Sequence, residues 1–136
     1  MARGKETGSL PKEVAERLRA LLCAMQDTIA SQVIAERAAA RLEDLSAIVN
    51  VTESDTIYHI DSITEDAILA WFEANWPDDI PTEIVMEGIS AQSRPVFPAS
   101  AVGKDVRFVC IIDPIDGTRG LMYDKRSAWV LAGVAV

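Results

Sequence analysis

The sequence predicts an α/β chain of layered α+β type, with long amino-terminal helices packed on a mainly antiparallel sheet. Two observations carry this expectation. No glycine occurs between Gly8 and Gly88 and no proline between Lys12 and Asn50, so nothing in the first third interrupts a helix. After Asp55 the pattern changes to short β-prone runs, among them Thr56 to Ile60, Glu83 to Ile89, Val106 to Ile112 and Ala128 to Val136.

Met1 to Ser9 holds charges and glycines without an apolar run, so it reads as a disordered leader before a folded portion at 10–136. Ser9 is a candidate helix cap, with Pro11 near the first turn. Val14, Leu18, Leu21, Leu22, Met25 and Ile29 then recur at steps of three and four, the apolar stripe of an amphipathic helix. Val33, Ile34, Ala38, Leu42, Leu45 and Val49 continue a similar stripe. The periodicity fits one helix or two; two, with a break near Ser31, are expected.

Thr56 to Ile60 reads as a strand that stops at Asp61, and Ile63, Ala67, Leu69, Ala70 and Phe72 predict a helix ended by Pro77. Glu83 to Ile89 predicts a short strand and Arg94 to Ser100 a proline-broken loop or edge. Val106 to Ile112 and Ala128 to Val136 are continuous apolar runs of buried-strand type, joined through a turn at Tyr123 to Ser127. There is no internal repeat.

Bulk properties narrow the function. With 136 residues, 49% of them hydrophobic, the chain is expected to build one core. Its formal net charge of -8 argues against unaided binding to nucleic acid or anionic lipid, which rely on Lys and Arg to neutralise phosphates. An acidic protein that handles phosphate needs cations. The longest apolar run, Ala128 to Val136, is far below the roughly 18 residues of a spanning helix. Cys23 and Cys110 lack metal-ligand spacing and are expected to be reduced structural thiols in apolar surroundings, which suits a cytoplasmic protein.

The informative segment is Asp113-Pro114-Ile115-Asp116-Gly117-Thr118, directly after the Val106 to Ile112 run. It places two carboxylates at a strand end. Pro114 restricts the backbone, and Gly117 permits a tight turn and close approach of a ligand. Hard Mg²⁺ suits such an all-oxygen setting, because it takes a few carboxylates together with water and substrate phosphate. The same run is also good turn chemistry. Context favours a site, since Asp61 and Glu87 are further acids at earlier strand ends.

These residues resemble the inositol monophosphatase-like superfamily of Mg²⁺-dependent sugar-phosphate phosphatases. Asp113 to Thr118 matches its signature; Asp55 to Asp61 resembles the segment ending in its catalytic Asp, and Ile84 to Glu87 the strand delivering its metal-binding Glu. The resemblance implies the first layers of an αβαβα sandwich and hydrolysis of a small phosphate monoester, an inositol or sugar phosphate. It implies two or three Mg²⁺ ions, with Mn²⁺ as a substitute. Glu87, Asp113 and the Ile115 carbonyl would bind one ion, and Asp113 and Asp116 a second. Asp61 and Thr118 would position and activate the attacking water, and the N–H groups of Gly117 and Thr118 would hold the phosphate. Two ions so placed would stabilise the attacking and leaving oxygens together.

The pattern also departs from the family. Gly88 stands where a second Glu is usual, Gly120 where Asn is common, and Asn50 lies nearest the place of a frequent Lys. The family's later Trp-Asp motif, whose Asp completes the second metal site, has no counterpart, so the chain is expected to be an amino-terminal portion with weak or no activity alone. A non-catalytic fragment or assembly module, pairing through the final strand, is the alternative of another class, and homo-oligomerisation is open. A haloacid-dehalogenase-like phosphatase, with Asp113 as covalent nucleophile, is disfavoured by the two residues between Asp113 and Asp116.

Other single residues carry less. His59 has no Cys or His partner in sequence and reads as structural or surface. Trp71, Trp76 and Trp129 are expected in the core. Arg119, Lys125 and Arg126 follow the signature as solvated neighbours rather than phosphate ligands.

Overall fold

The computed structural model describes residues 9–39, 47–51, 56–103, 106–123 and 126–136. The elements in chain order are α1 (Lys12–Ala39), β1 (Ile48–Val51), β2 (Thr56–Tyr58), α2 (His59–Asn75), β3 (Thr82–Met86), β4 (Val96–Phe97), β5 (Phe108–Asp116), α3 (Thr118–Met122) and β6 (Trp129–Ala135). A 3₁₀ turn at Ala99–Ala101 follows the cis bond between Phe97 and Pro98. Strands β1 and β2 pair as an antiparallel ribbon. The other four form a mixed sheet in the order β4-β3-β5-β6, with β3 and β5 parallel and the two outer pairings antiparallel. The fold is α+β.

Helix α1 is continuous, not broken at Ser31 as the sequence suggests. The Ser31 hydroxyl donates to the Asp27 carbonyl one turn back at 2.9 Å, so the side chain is satisfied within the helix and offers no reason to stop. The capping position also differs: the Ala15 N–H donates to the Pro11 carbonyl, which puts Pro11 rather than Ser9 at the helix start. The leader at 1–8, and Leu42 and Leu45 of the second stripe, lie outside the described residues, while Val49 belongs to β1.

The buried stripe of α1, Leu18, Leu22, Met25 and Ile29, meets Ile68, Phe72 and Trp76 from and just after α2. Both helices lie on one face of the sheet. That face presents Ile84 and Met86 from β3, Phe108, Cys110 and Ile112 from β5, and the half-buried Val130, Ala132 and Val134 of β6. Phe72 is fully buried and packs its ring against Trp76 and Phe97, with centroids 4.7 and 5.5 Å apart. The Trp76 indole N–H donates to the Ile80 carbonyl at 2.8 Å, which satisfies a buried polar group at the end of α2.

The opposite face of the sheet carries exposed apolar side chains. Ile111 and Trp129 are 55% and 63% exposed and Leu131 is exposed beside them. The expectation that β5 and β6 are buried on both faces, and that Trp129 joins the core, is therefore corrected: alternate residues of each strand meet the helices, and the other set meets solvent. Continuous apolar runs do not distinguish one covered face from two. Cys23 is exposed on α1 rather than buried, Cys110 is buried, and both are free. Among the described residues no helix is long and apolar enough to cross a membrane.

Candidate functional site

Two of the acids named from the sequence, Glu87 and Asp113, come to one end of the sheet. Met86 and Ile112 are register partners on the parallel strands β3 and β5, so Glu87 and Asp113, the next residue on each, follow side by side at the carboxyl ends. Open sheets containing parallel strands bind ligands at this end.

Glu87 is carried by a tight turn. The Ile89 N–H donates to the Met86 carbonyl at 3.2 Å, and Gly88 holds a φ of +83° at the third position, as a type II turn requires. Glu87 is exposed on that turn.

The Asp113 to Asp116 segment is not a loop after the strand, as the sequence suggests, but the last part of β5 itself. Pairing with β6 continues from Asp113 opposite Leu131 to Asp116 opposite Trp129. Three residues advance on β5 while two advance on β6, which is a bulge of one residue. In a regular strand, positions three apart face opposite sides. The extra residue buries Pro114 and Ile115 in succession and leaves Asp116 exposed, on the same side of the alternation as Asp113. Pro114 has no N–H to lose from the ladder. Oδ1 of Asp113 is buried.

Gly117 then turns the chain with a φ of +94° into α3, whose Leu121 N–H donates to the Gly117 carbonyl at 3.0 Å. Thr118 opens that helix and Asp61 lies in the first turn of α2. The predicted strand Thr56 to Ile60 ends at Tyr58, and His59, exposed, begins α2 with its N–H donating to the Ala47 carbonyl at 2.8 Å. Asp61 thus sits at the positive end of a helix, where a carboxylate is favoured. The Thr118 hydroxyl lies 2.8 Å from Asp61 Oδ1 and 3.1 Å from the Ile115 carbonyl. A hydroxyl has one proton, and the shorter contact with a carboxylate takes the larger share of it.

Arg37, in the last turn of α1, donates to the Leu121 carbonyl at 3.0 Å and fastens α3 to the long helix. Of the cations after the signature, Arg119 and Arg126 are exposed and Lys125 lies outside the described residues.

One residue went unremarked in the sequence. Glu65 lies one helical turn after Asp61, and its carboxyl fills the space above Gly88, so a Cβ there would collide with both of its oxygens. Its pKa is pushed up to about 7, first by burial and then by the charges of Asp61 and Asp66. The signal was available in the four-residue step from Asp61, which puts both side chains on one helix face. Position 88, where the resemblance leads one to expect a second Glu, is thus filled from α2.

The donor set is all oxygen and suits Mg²⁺. Among the described residues, no three His, Cys, Asp or Glu side chains stand close enough to hold one ion by themselves. Mg²⁺ does not demand such a cage, since it is commonly held by one or two carboxylates with waters and substrate phosphate. The strand end therefore fits the ion by chemistry and by the adjacency of Glu87 and Asp113.

No protein-family model matches the sequence, and no curated protein matches it. The fold is similar to the crystal structure of the extragenic suppressor protein suhB from Bartonella henselae, with a TM-score of 0.64 at 14% identity. That likeness covers 87% of this chain and 40% of the suhB chain, so the chain spans less than half the length of that protein.

Proposed function

We propose that this chain carries the cation-binding and water-positioning part of a Mg²⁺-dependent phosphatase of the inositol monophosphatase-like superfamily, acting on a small phosphorylated polyol or sugar. The carrying observation is the hydrogen bond between Thr118 and Asp61, made beside the carboxyl ends of β3 and β5. The fold likeness to suhB supports the superfamily and nothing finer.

In this reading Glu87, Asp113 and the Ile115 carbonyl would hold one Mg²⁺, and Asp113 and Asp116 a second. Bound there, the ions would lower the pKa of water and neutralise phosphate charge. The chain's own groups do the rest. Asp61 accepts from Thr118 and would act as the general base toward water, while Thr118, so oriented, presents its own oxygen as acceptor. Gly117, with no side chain, leaves its backbone open to the phosphate.

The test is phosphate release from inositol phosphate and sugar phosphates by the full chain, with Mg²⁺ and with a chelator, alongside direct Mg²⁺ titration. Saturable Mg²⁺ binding, with Mg²⁺-dependent turnover however slow, is expected. A chain that binds no divalent cation would remove the basis of the reading.

One observation favours a second reading, a non-catalytic assembly module. β6 is an edge strand, and the sheet face bearing Ile111, Trp129 and Leu131 is open. Sedimentation at rising concentration checks it: a monomer throughout, with Mg²⁺ bound, excludes self-assembly through that face.

A further inference from the structure

We propose that Glu65 is a positioning residue of the strand-end site, setting the turn that carries Glu87 and supplying charge to the cation held beside it. This rests on the reading of that end as a divalent-cation site, and goes beyond it by adding a residue from α2.

Geometry comes first. The Met86 to Ile89 turn could keep its backbone with any residue tolerant of positive φ at its third position, and Asn is such a residue. The space above Gly88 is already occupied, because the Glu65 carboxyl lies where a side chain would begin. Gly88 therefore answers to two constraints, the turn and the carboxyl lodged on it. The carboxyl in turn restricts how the Glu87 turn can move.

Electrostatics then asks why that group is an acid. Glu65 is half-buried, and Asp61 and Asp66 on its own helix both oppose its charge. A carboxylate placed so costs stability, and a Gln of equal size would hold the same space without that cost. An acid placed against its local electrostatics is expected where a cation is to be attracted. Glu65 lies on the same side as Asp61 and beside the residue following Glu87, so it adds negative charge behind the ion without being one of its direct ligands.

Calorimetric titration of the full chain with Mg²⁺ or Mn²⁺, run with thermal melts, tests the assignment on Glu65→Gln, which keeps the volume and removes the charge. Cation affinity should fall by about tenfold or more, the usual effect of losing a group behind a metal ligand, with an unchanged or higher melting temperature. Gly88→Ala, which pushes the Glu65 carboxyl off the turn, should weaken affinity too. Equal affinity of Glu65→Gln and the parent chain would overturn the proposal alone. A Glu65→Gln variant that melts well below the parent would also overturn it, by marking the carboxyl as structural. A parent chain that binds no cation would overturn the underlying site and this inference with it.

Discussion

The Thr118 hydroxyl donates to Asp61 Oδ1 across 2.8 Å, joining two helix starts that are 57 residues apart in sequence. Neither end of this bond is rigid alone. Asp61 is fixed because α2 packs through Ile60, Thr64, Ile68 and Phe72, and Thr118 because the bulged end of β5 and Gly117 deliver it there.

Breaking this bond should separate chemistry from folding. In the phosphatase reading, Asp61→Asn and Thr118→Val should each lower kcat by about 10²-fold or more, the range of lost general acid–base help. Thr118→Val should cost only about 1 kcal/mol of stability. Steady-state kinetics and urea melts measure the two effects, and equal kcat for parent and variants would exclude the pair from catalysis.

The contribution of Glu65 to stability should fall as pH rises from about 4.5 to 7. Burial, then Asp61 and Asp66, raise Glu65 from an ordinary 4.5 to about 7 in the folded chain. Below 4.5 both states keep the proton. Between the two values the unfolded chain releases it while the folded chain retains it, so the unfolded state gains and folding weakens, with no further change from this group above 7. Urea midpoints across this range should lose that component of the slope in Glu65→Gln.

The two thiols should differ in reactivity. Cys23 is exposed, whereas Cys110 is buried with its thiol pushed up to about 12 by desolvation. Iodoacetamide at pH 8 should add once to the native chain and twice in guanidinium, as counted by intact mass. Two rapid native adducts would contradict the placement of β5.

Phe72→Ala should be the most damaging of these changes. The ring is fully buried against Trp76 and Phe97, and its loss removes contacts that tie α2 to the edge strand β4. Deleting a buried Phe costs about 3–5 kcal/mol. Guanidinium denaturation should show a large drop in midpoint, and a loss under 1 kcal/mol would indicate that the core is not packed as described.

Arg37→Met should loosen α3 without unfolding the sheet. Its bond to the Leu121 carbonyl is a direct tie between α1 and the helix that opens at Thr118. Amide exchange in 118–122 should quicken by about tenfold, equivalent to roughly 1.4 kcal/mol, while exchange in β5 stays unchanged.

The sequence by itself determined what local chemistry can determine. Unbroken apolar spacing from Val14 to Ile29 marked α1, and the order of Asp61, Glu87 and the Asp113 to Thr118 run named the residues on which the proposed site rests. What lay beyond it depended on partners distant in the chain. Only the antiparallel neighbour β6 shows that Asp113 to Asp116 is bulged strand rather than loop, because a bulge exists only by comparison with the strand it pairs with. Only the helices' choice of one face shows that Ile111, Leu131 and Trp129 meet solvent while Cys110 and Ile112 do not. Glu65 acquired meaning through Gly88, twenty-three positions away, when α2 and the end of β3 came into contact. Spacing encodes which side of its own element a residue occupies, and packing alone decides what stands opposite.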